Sequence, residues 1–306
     1  MVQYCTHLLT TKGVNMFKKT LMAGATVAVF AMPGMALAQA APAAPASPHT
    51  FTGNVGLFTE YVFRGLGQTN EKPALQGGFD YSHASGFYAG LWASNVSWIS
   101  DPCNIAANQA AMGGCPSASL EIDTYFGYKN TFGGGDFNYD VGFLRYNYPG
   151  SYPPGYAAFG AVKPNTNEIY GALGWKWITA KLSYSLGDTF GFDDARGSYY
   201  AELNASYPIG DSGFTLTGHI GHQKFKGGGS GVAAPLFAAA GVDNDLFSYS
   251  DWKIGVNKEW WGLNFGLALK GTDADETHSV YGNVWRNAYG KDLGKTRAVL
   301  SVQKTF

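Results

Sequence analysis

The chain has 306 residues and a net charge of −1, from 21 Lys and Arg against 22 Asp and Glu. Near-neutrality leaves no electrostatic case for a nucleic-acid partner or an anionic surface. Charged residues make up only 14%, against roughly 25% in soluble domains, while aromatics reach 15% and glycine 42 positions.

The one long apolar block lies near the start. Met16, Lys18 and Lys19 form a basic head, residues 21–31 an apolar run, and Ala36-Leu37-Ala38 a small-residue cleavage site before Gln39. That is the layout of a secretory leader, and the run is too short for a spanning helix, which needs ~20 apolar residues. We read 16–38 as a signal peptide starting at Met16, and 1–15 as upstream sequence included by a start-site error. A retained N-terminal anchor is the other reading. Residues 39–50 are an Ala/Pro linker without periodicity. The remainder, 51–306, is expected to be one barrel.

From Thr50 onward, side chains alternate apolar and polar in short segments, the period of a half-buried strand. They run over 52–64, 74–82, 87–95, 120–132, 137–148, 167–175, 179–187, 198–207, 214–224, 251–259, 263–271 and 296–306. The connections alternate short with long, and the long ones are polar and rich in Gly, Pro and Asn. Short turns on one rim and long loops on the other predict an all-β fold, a transmembrane antiparallel up-and-down β-barrel of about 12 strands in the outer membrane. The phase breaks near Leu144-Arg145, which predicts a bulge. Trp175, Trp177, Trp260 and Trp261 fall at predicted periplasmic turns. There they form an interfacial girdle, or are ordinary turn-flanking aromatics.

Cys5 lies in the leader region. Cys103 and Cys115 share one polar loop, and two cysteines in an oxidising compartment predict a disulfide. A metal or redox pair lacks C-x-x-C spacing and nearby histidines. The last strand presents Ala298, Leu300, Val302 and Phe306 on one face and is similar to the C-terminal signal read by the barrel-insertion machinery. Lys304 departs from that signal, though its stem can reach the headgroups.

Polar faces must line the lumen, since lipid-facing charges are costly at mid-depth. The expected inward charges are Glu60, Asp80, Glu121, Asp123, Asp140, Glu168, Glu202 and Glu259 against Arg64, Lys129, Lys181, Lys253, Lys270 and Arg297. They set ion selectivity, or they are cross-strand pairs that fill the lumen. Tyr125, Tyr170 and Tyr200 are expected to narrow it.

Other motifs carry little. His219 and His222 form an H-x-x-H whose side chains face opposite sides of a strand, so they cannot share one metal. Gly227–Gly231 (GGGSG) lacks the Lys-Ser/Thr of a phosphate loop. The acidic runs 243–245 and 273–276 could hold calcium or be solvated loop. No cofactor, metal or catalytic residue is expected.

The segment from Thr52 to Trp98 carries TGN-GLFTEY-FRG (Thr52 to Gly65), Gln68-Thr69, KPALQGGFDY (Lys72 to Tyr81) and SGFYAGLWASNV (Ser85 to Val96). It resembles the opening of the TorF family of porin-like proteobacterial proteins, whose function is unknown. EIDTYFGY (Glu121 to Tyr128), YDVGF (Tyr139 to Phe143) and NEIYGALGW (Asn167 to Trp175) continue the resemblance over most of the mature chain. It implies an outer-membrane barrel that acts as a channel, and brings no substrate or catalytic residue. Departures are expected in the Cys103–Cys115 loop and the Gly-rich 226–241 segment.

Three functions compete: a passive channel for small hydrophilic solutes or ions, an outer-membrane enzyme, and a plugged structural or adhesive barrel. An enzyme needs a Ser/His or Asp/His constellation at one depth and face. Inward His219 has only Thr217 beside it on its own strand. The channel is the leading reading, with outer-membrane lipid, the insertion machinery and small solutes or ions as partners and no nucleic acid.

Overall fold

Twelve long strands close on themselves in a computed structural model that describes residues 47–159, 162–228, 243–274 and 282–306. The leader, Cys5, most of the Ala/Pro linker, much of the Gly-rich segment and part of the acidic 273–276 run lie outside the described residues. In chain order the strands are β1 (His49–Phe58), the short β2 (Val62–Phe63) and β3 (Leu66–Gly67), β4 (Ala74–His83), β5 (Phe87–Asn95), β6 (Leu120–Phe132) and β7 (Phe137–Asn147). They continue with β8 (Thr166–Trp175), β9 (Ile178–Ser185), β10 (Tyr199–Pro208), β11 (Phe214–Lys224), β12 (Tyr249–Trp260), β13 (Leu263–Thr272) and β14 (Arg297–Thr305). Apart from the separate β2–β3 pair, neighbours in this order pair antiparallel. β1 closes the barrel on β14 from Asn54↔Thr305 to Phe58↔Ser301.

Period two explains which side faces out. On β13, Leu263, Phe265, Leu267 and Leu269 alternate with Asn264, Gly266, Ala268 and Lys270. Around the barrel the apolar set stays exposed, as at Phe79 (63%), Leu173 (65%) and Ile254 (66%). A continuous apolar belt of this kind has no place in water and matches the hydrocarbon layer around a spanning barrel. No helix among the described residues is long and apolar enough to cross a membrane.

The rims differ as expected. Residues 84–86, 133–136, 176–177, 209–213 and 261–262 make the short turns, and the other connections are long. In the β12–β13 turn both Trp261 (φ 53°) and Gly262 (φ 68°) are left-handed, the geometry of a two-residue hairpin turn that follows the strand twist. Trp260 and Trp261 stack there at 3.9 Å between ring centroids. With Trp175 and Trp177 they stand exposed on the same rim.

Two expectations are corrected. The bulge near Leu144-Arg145 is absent, because β7 keeps one register along both β6 and β8. The alternation continues with Leu144 buried inside and Arg145 outside near the long-loop rim, where Asn147 and Asn167 accept its N–H groups at 2.7 and 3.0 Å. The predicted strand 52–64 is also too long. β1 starts at His49, inside the stretch read as linker, and ends at Phe58. Beyond Phe58 the chain leaves the wall and enters the barrel.

In the loop 96–119, helix α1 (Ala106–Met112) ends on Gly113 at φ 68°, where a left-handed residue satisfies its last carbonyls. Cys103 and Cys115 are bonded across it, 5.8 Å apart at Cα.

Candidate functional site

Residues 59–73 place a hairpin within the lumen. β2 and β3 pair through Val62↔Gly67 and Phe63↔Leu66, joined by Arg64 (φ 43°) and Gly65 (φ 81°). Two left-handed residues in a row favour glycine at the second position. Space demands it too, since a Cβ on Gly65 would stand 2.3 Å from Thr272 Cγ2 and 2.6 Å from Asp251 Cβ. The FRG element of the opening motif is thus the hairpin tip.

Contacts to strands far apart around the barrel fix the hairpin inside. Tyr61 donates to Glu121 Oε1 on β6 at 3.0 Å. Arg64 donates to Glu168 Oε2 on β8 at 2.8 Å and to Gln223 Oε1 on β11 at 2.6 Å, with its guanidinium 4.3 Å from the centre of the Tyr200 ring. Arg297 on β14 donates to Glu60 Oε1 at 2.7 Å. Tyr61 also packs with Trp92, Tyr125, Tyr146 and Tyr170 in an apolar cluster. A second cluster of Leu66, Phe192, Phe225, Phe247 and Tyr249 lies toward the long loops.

Most of the predicted inward charges fall into three groups. Glu60–Arg297, Arg64–Glu168 and Lys181–Glu202 are ion pairs, at 2.7, 2.8 and 3.9 Å. Others meet tyrosines: Tyr125 donates to Asp80 and Tyr88 to Asp140, both at 2.6 Å, and Lys129 Nζ sits 5.0 Å from the centre of the Tyr88 ring. Glu121 points inward but is closed over by Tyr61, and Asp123 is equally buried. Lys253 and Lys270 form the third group. They face a cavity of about 180 Å³ and have no carboxylate within 4 Å among the described residues. Glu259 stands exposed near the short-turn rim.

Register joins these charges in a way that residue identity alone hides. Asn204↔His219, His219↔Lys253, Lys253↔Lys270 and Lys270↔Arg297 are direct cross-strand partners. One inward row therefore crosses β10 to β14 with four basic side chains in succession. The acids Asp80, Glu121, Asp123, Asp140 and Glu168 belong to β4, β6, β7 and β8. The lumen is thus richer in acids along β4 to β8 and richer in bases along β11 to β14, with Lys129 on β6 and Asp251 on β12 set among charges of the opposite sign.

Sequence reasoning missed Asp251, although alternation from Lys253 puts it on the inner face. Its Oδ1 lies 3.0 Å from His219 Nε2, and Tyr200 donates to its Oδ2 at 2.6 Å. His219 Nδ1 lies 2.7 Å from Asn204 Oδ1. His222 is on the outer face beside Ser250, as the strand period requires. Among the described residues no group of three or more His, Cys, Asp or Glu could hold a metal.

Charges on the long loops are tied as well. Glu71 meets Lys291 at 2.9 Å and also pairs with Lys295. These hydrogen bonds hold its carboxyl down at about 2. Asp245, paired with Lys224, is likewise held below the usual carboxylate range, while burial pushes Asp101 up.

These features define a closed twelve-stranded antiparallel barrel of the membrane-spanning type, with a charged interior and a hairpin set across it. The chain belongs to a family described as bacterial protein of unknown function (Gcw_chp), whose model matches residues 42–306. No curated protein matches it. Among solved structures it is similar to the KdgM porin, at 11% identity over 83% of this chain and 99% of that one, with a TM-score of 0.45. An outer membrane channel from Pseudomonas putida F1 gives 12% identity over 86% and 97%, TM-score 0.40. LpxR from Salmonella typhimurium gives 9% over 83% and 99%, TM-score 0.41. Scores and identities this low transfer neither a solute nor an activity.

Proposed function

We propose that this protein is a narrow outer-membrane channel that passes small hydrophilic solutes or ions passively. The observation that carries the reading is the inner face: an apolar-coated closed barrel holds a charged cavity of about 180 Å³ rather than a continuous apolar core. Mixed charges around the lumen can replace part of an ion's hydration without trapping it. The resemblance of the opening motif to the TorF family of porin-like proteins supports the same reading. Outer-membrane lipid surrounds the belt, and the insertion machinery assembles the barrel.

A sealed structural barrel is the second reading, favoured by the packing of the hairpin against Tyr61, Trp92 and Tyr146. Single-channel recording of the refolded mature protein in planar bilayers separates the two. Discrete conductance steps, smaller than those of a large porin, are expected. Correctly inserted barrel that gives no steps at any voltage would leave the sealed reading in place.

A further inference from the structure

We propose that Lys253 and Lys270 form a binding site for a small organic carboxylate in the lumen. The proposal rests on the channel reading for its physiological access, and on strand register and side-chain geometry for the site itself. Lys253 and Lys270 are direct cross-strand partners on β12 and β13, and Lys270 is in turn opposite Arg297. Like charges placed directly opposite each other destabilise a sheet, so such a pair needs a counter-charge close by.

Glu60, Glu202 and Asp251 act on the two lysines only through space, and their close contacts go to other partners. Glu60 takes Arg297, Glu202 lies with Lys181 and His219, and Asp251 accepts from Tyr200 and lies against His219. Asp123 also lines the cavity, and no ion pair joins it to either lysine. The two ammonium groups face the same cavity of about 180 Å³.

The adjoining rows line this cavity with polar groups. Gly255 pairs with Ala268 and Asn257 with Gly266, and the two glycines let polar neighbours close in: a Cβ on Gly255 would stand 2.8 Å from Thr217 Oγ1, and one on Gly266 2.5 Å from Ser301 Oγ and 2.7 Å from Asn257 Oδ1. Asn257, Ser301 and Gln303 add polar groups to the wall. Asn264 also lines the cavity, and its buried side-chain oxygen has no hydrogen-bond partner among the described residues. Each lysine offers three donors on a compact charge, and each carboxylate oxygen can take a charge-assisted bond from one of them. The neighbouring amide and hydroxyl groups suit hydroxyl or carbonyl substituents on the same solute.

The test uses the refolded mature barrel in detergent, with acetate as probe and acetamide as its uncharged counterpart. Carbon-13 NMR should show saturable broadening of the acetate carboxylate signal and none of the acetamide carbonyl. In Lys253→Gln and Lys270→Gln the acetate affinity should fall at least about tenfold, the loss that accompanies removal of a charge-assisted hydrogen bond. Lys163→Gln, the same charge change in an external loop, should retain wild-type binding. The two single variants, with Lys253→Arg as a charge-conserving form, keep the test decisive where a double variant does not refold.

In bilayers under a salt gradient, the reversal potential of either glutamine variant should move away from anions. Absence of acetate broadening in the folded wild type, or full broadening in a folded glutamine variant, overturns the site. Acetate binding without any conductance would instead overturn the channel reading and leave the site standing.

Discussion

Arg64 Nη2 lies 2.8 Å from Glu168 Oε2, with side-chain exposures of 7% and 1%. This pair fastens the hairpin tip to β8, well away from β1 around the barrel. Both groups are buried, so removing either leaves the other as an uncompensated buried charge.

Replacing one partner strands the other. Arg64→Gln and Glu168→Gln should each destabilise the barrel by about 3–5 kcal/mol, whereas the double variant should lose less than the sum, because no lone charge remains. Unfolding in detergent measures this. Purely additive losses would mean that the contact is incidental. The single Arg64 variant should also give larger or noisier conductance steps if the hairpin narrows the path.

Much of the barrel was legible in the sequence because its rules are local. Alternation reports the two faces, as on β13, and turn length reports the rim. The hairpin was not legible, since Glu60 to Arg64 keeps the same alternation as β1. Only the left-handed pair Arg64-Gly65 and contacts with distant strands reveal the inward turn. The basic row was hidden for a similar reason. Lys253, Lys270 and Arg297 are separated in the chain, and register alone makes them neighbours. Arg145 misled because a charge on the outer face is tolerated near a rim, where it looks like a phase break.

The Cys103–Cys115 bond closes the loop around α1 and touches no strand register. Mass spectrometry under non-reducing conditions should therefore find a linked peptide pair lighter by two hydrogens. A Cys103→Ser/Cys115→Ser variant should show faster hydrogen exchange in residues 96–119 and unchanged exchange in the strands. Loop closure stabilises mainly by restricting the open chain, so the effect should stay local. Free thiols at both positions in fresh outer membranes would contradict the bond and the external placement of the loop.

Glu71 links the 59–73 connection to the 273–296 loop through Lys291 and Lys295. Its folded-state value of about 2 lies below the ordinary 4.5. The tie therefore contributes fully above the ordinary value and is lost as pH falls through about 2. Carbon-13 titration of the Glu71 carboxyl should find a midpoint near 2, with the loop contacts intact at pH 4. Glu71→Gln should loosen the two loops at neutral pH with little change in global stability, because the groups are partly exposed. A midpoint near 4.5 would show that the lysines do not hold it.

Phe306 takes part in the seam as well as ending the chain. Gly53 donates to its carbonyl at 2.7 Å, and Phe306 N–H donates to Gly53 O at 2.9 Å. Its ring covers Gly53 so closely that a Cβ there would stand 2.6 Å from Phe306 Cε2. The seam does not depend on this contact, since β1 and β14 remain paired from Asn54↔Thr305 to Phe58↔Ser301. Deleting Phe306 should therefore leave refolding in detergent largely intact. In cells, where an exposed terminal aromatic on an amphipathic strand is the feature to be recognised, the same deletion should lower the amount inserted. Quantifying heat-modifiable barrel in outer-membrane fractions against in vitro refolding yield separates recognition from stability. Equal insertion of truncated and full-length chains would reject the signal, and a parallel loss in both assays would make Phe306 a seam residue alone.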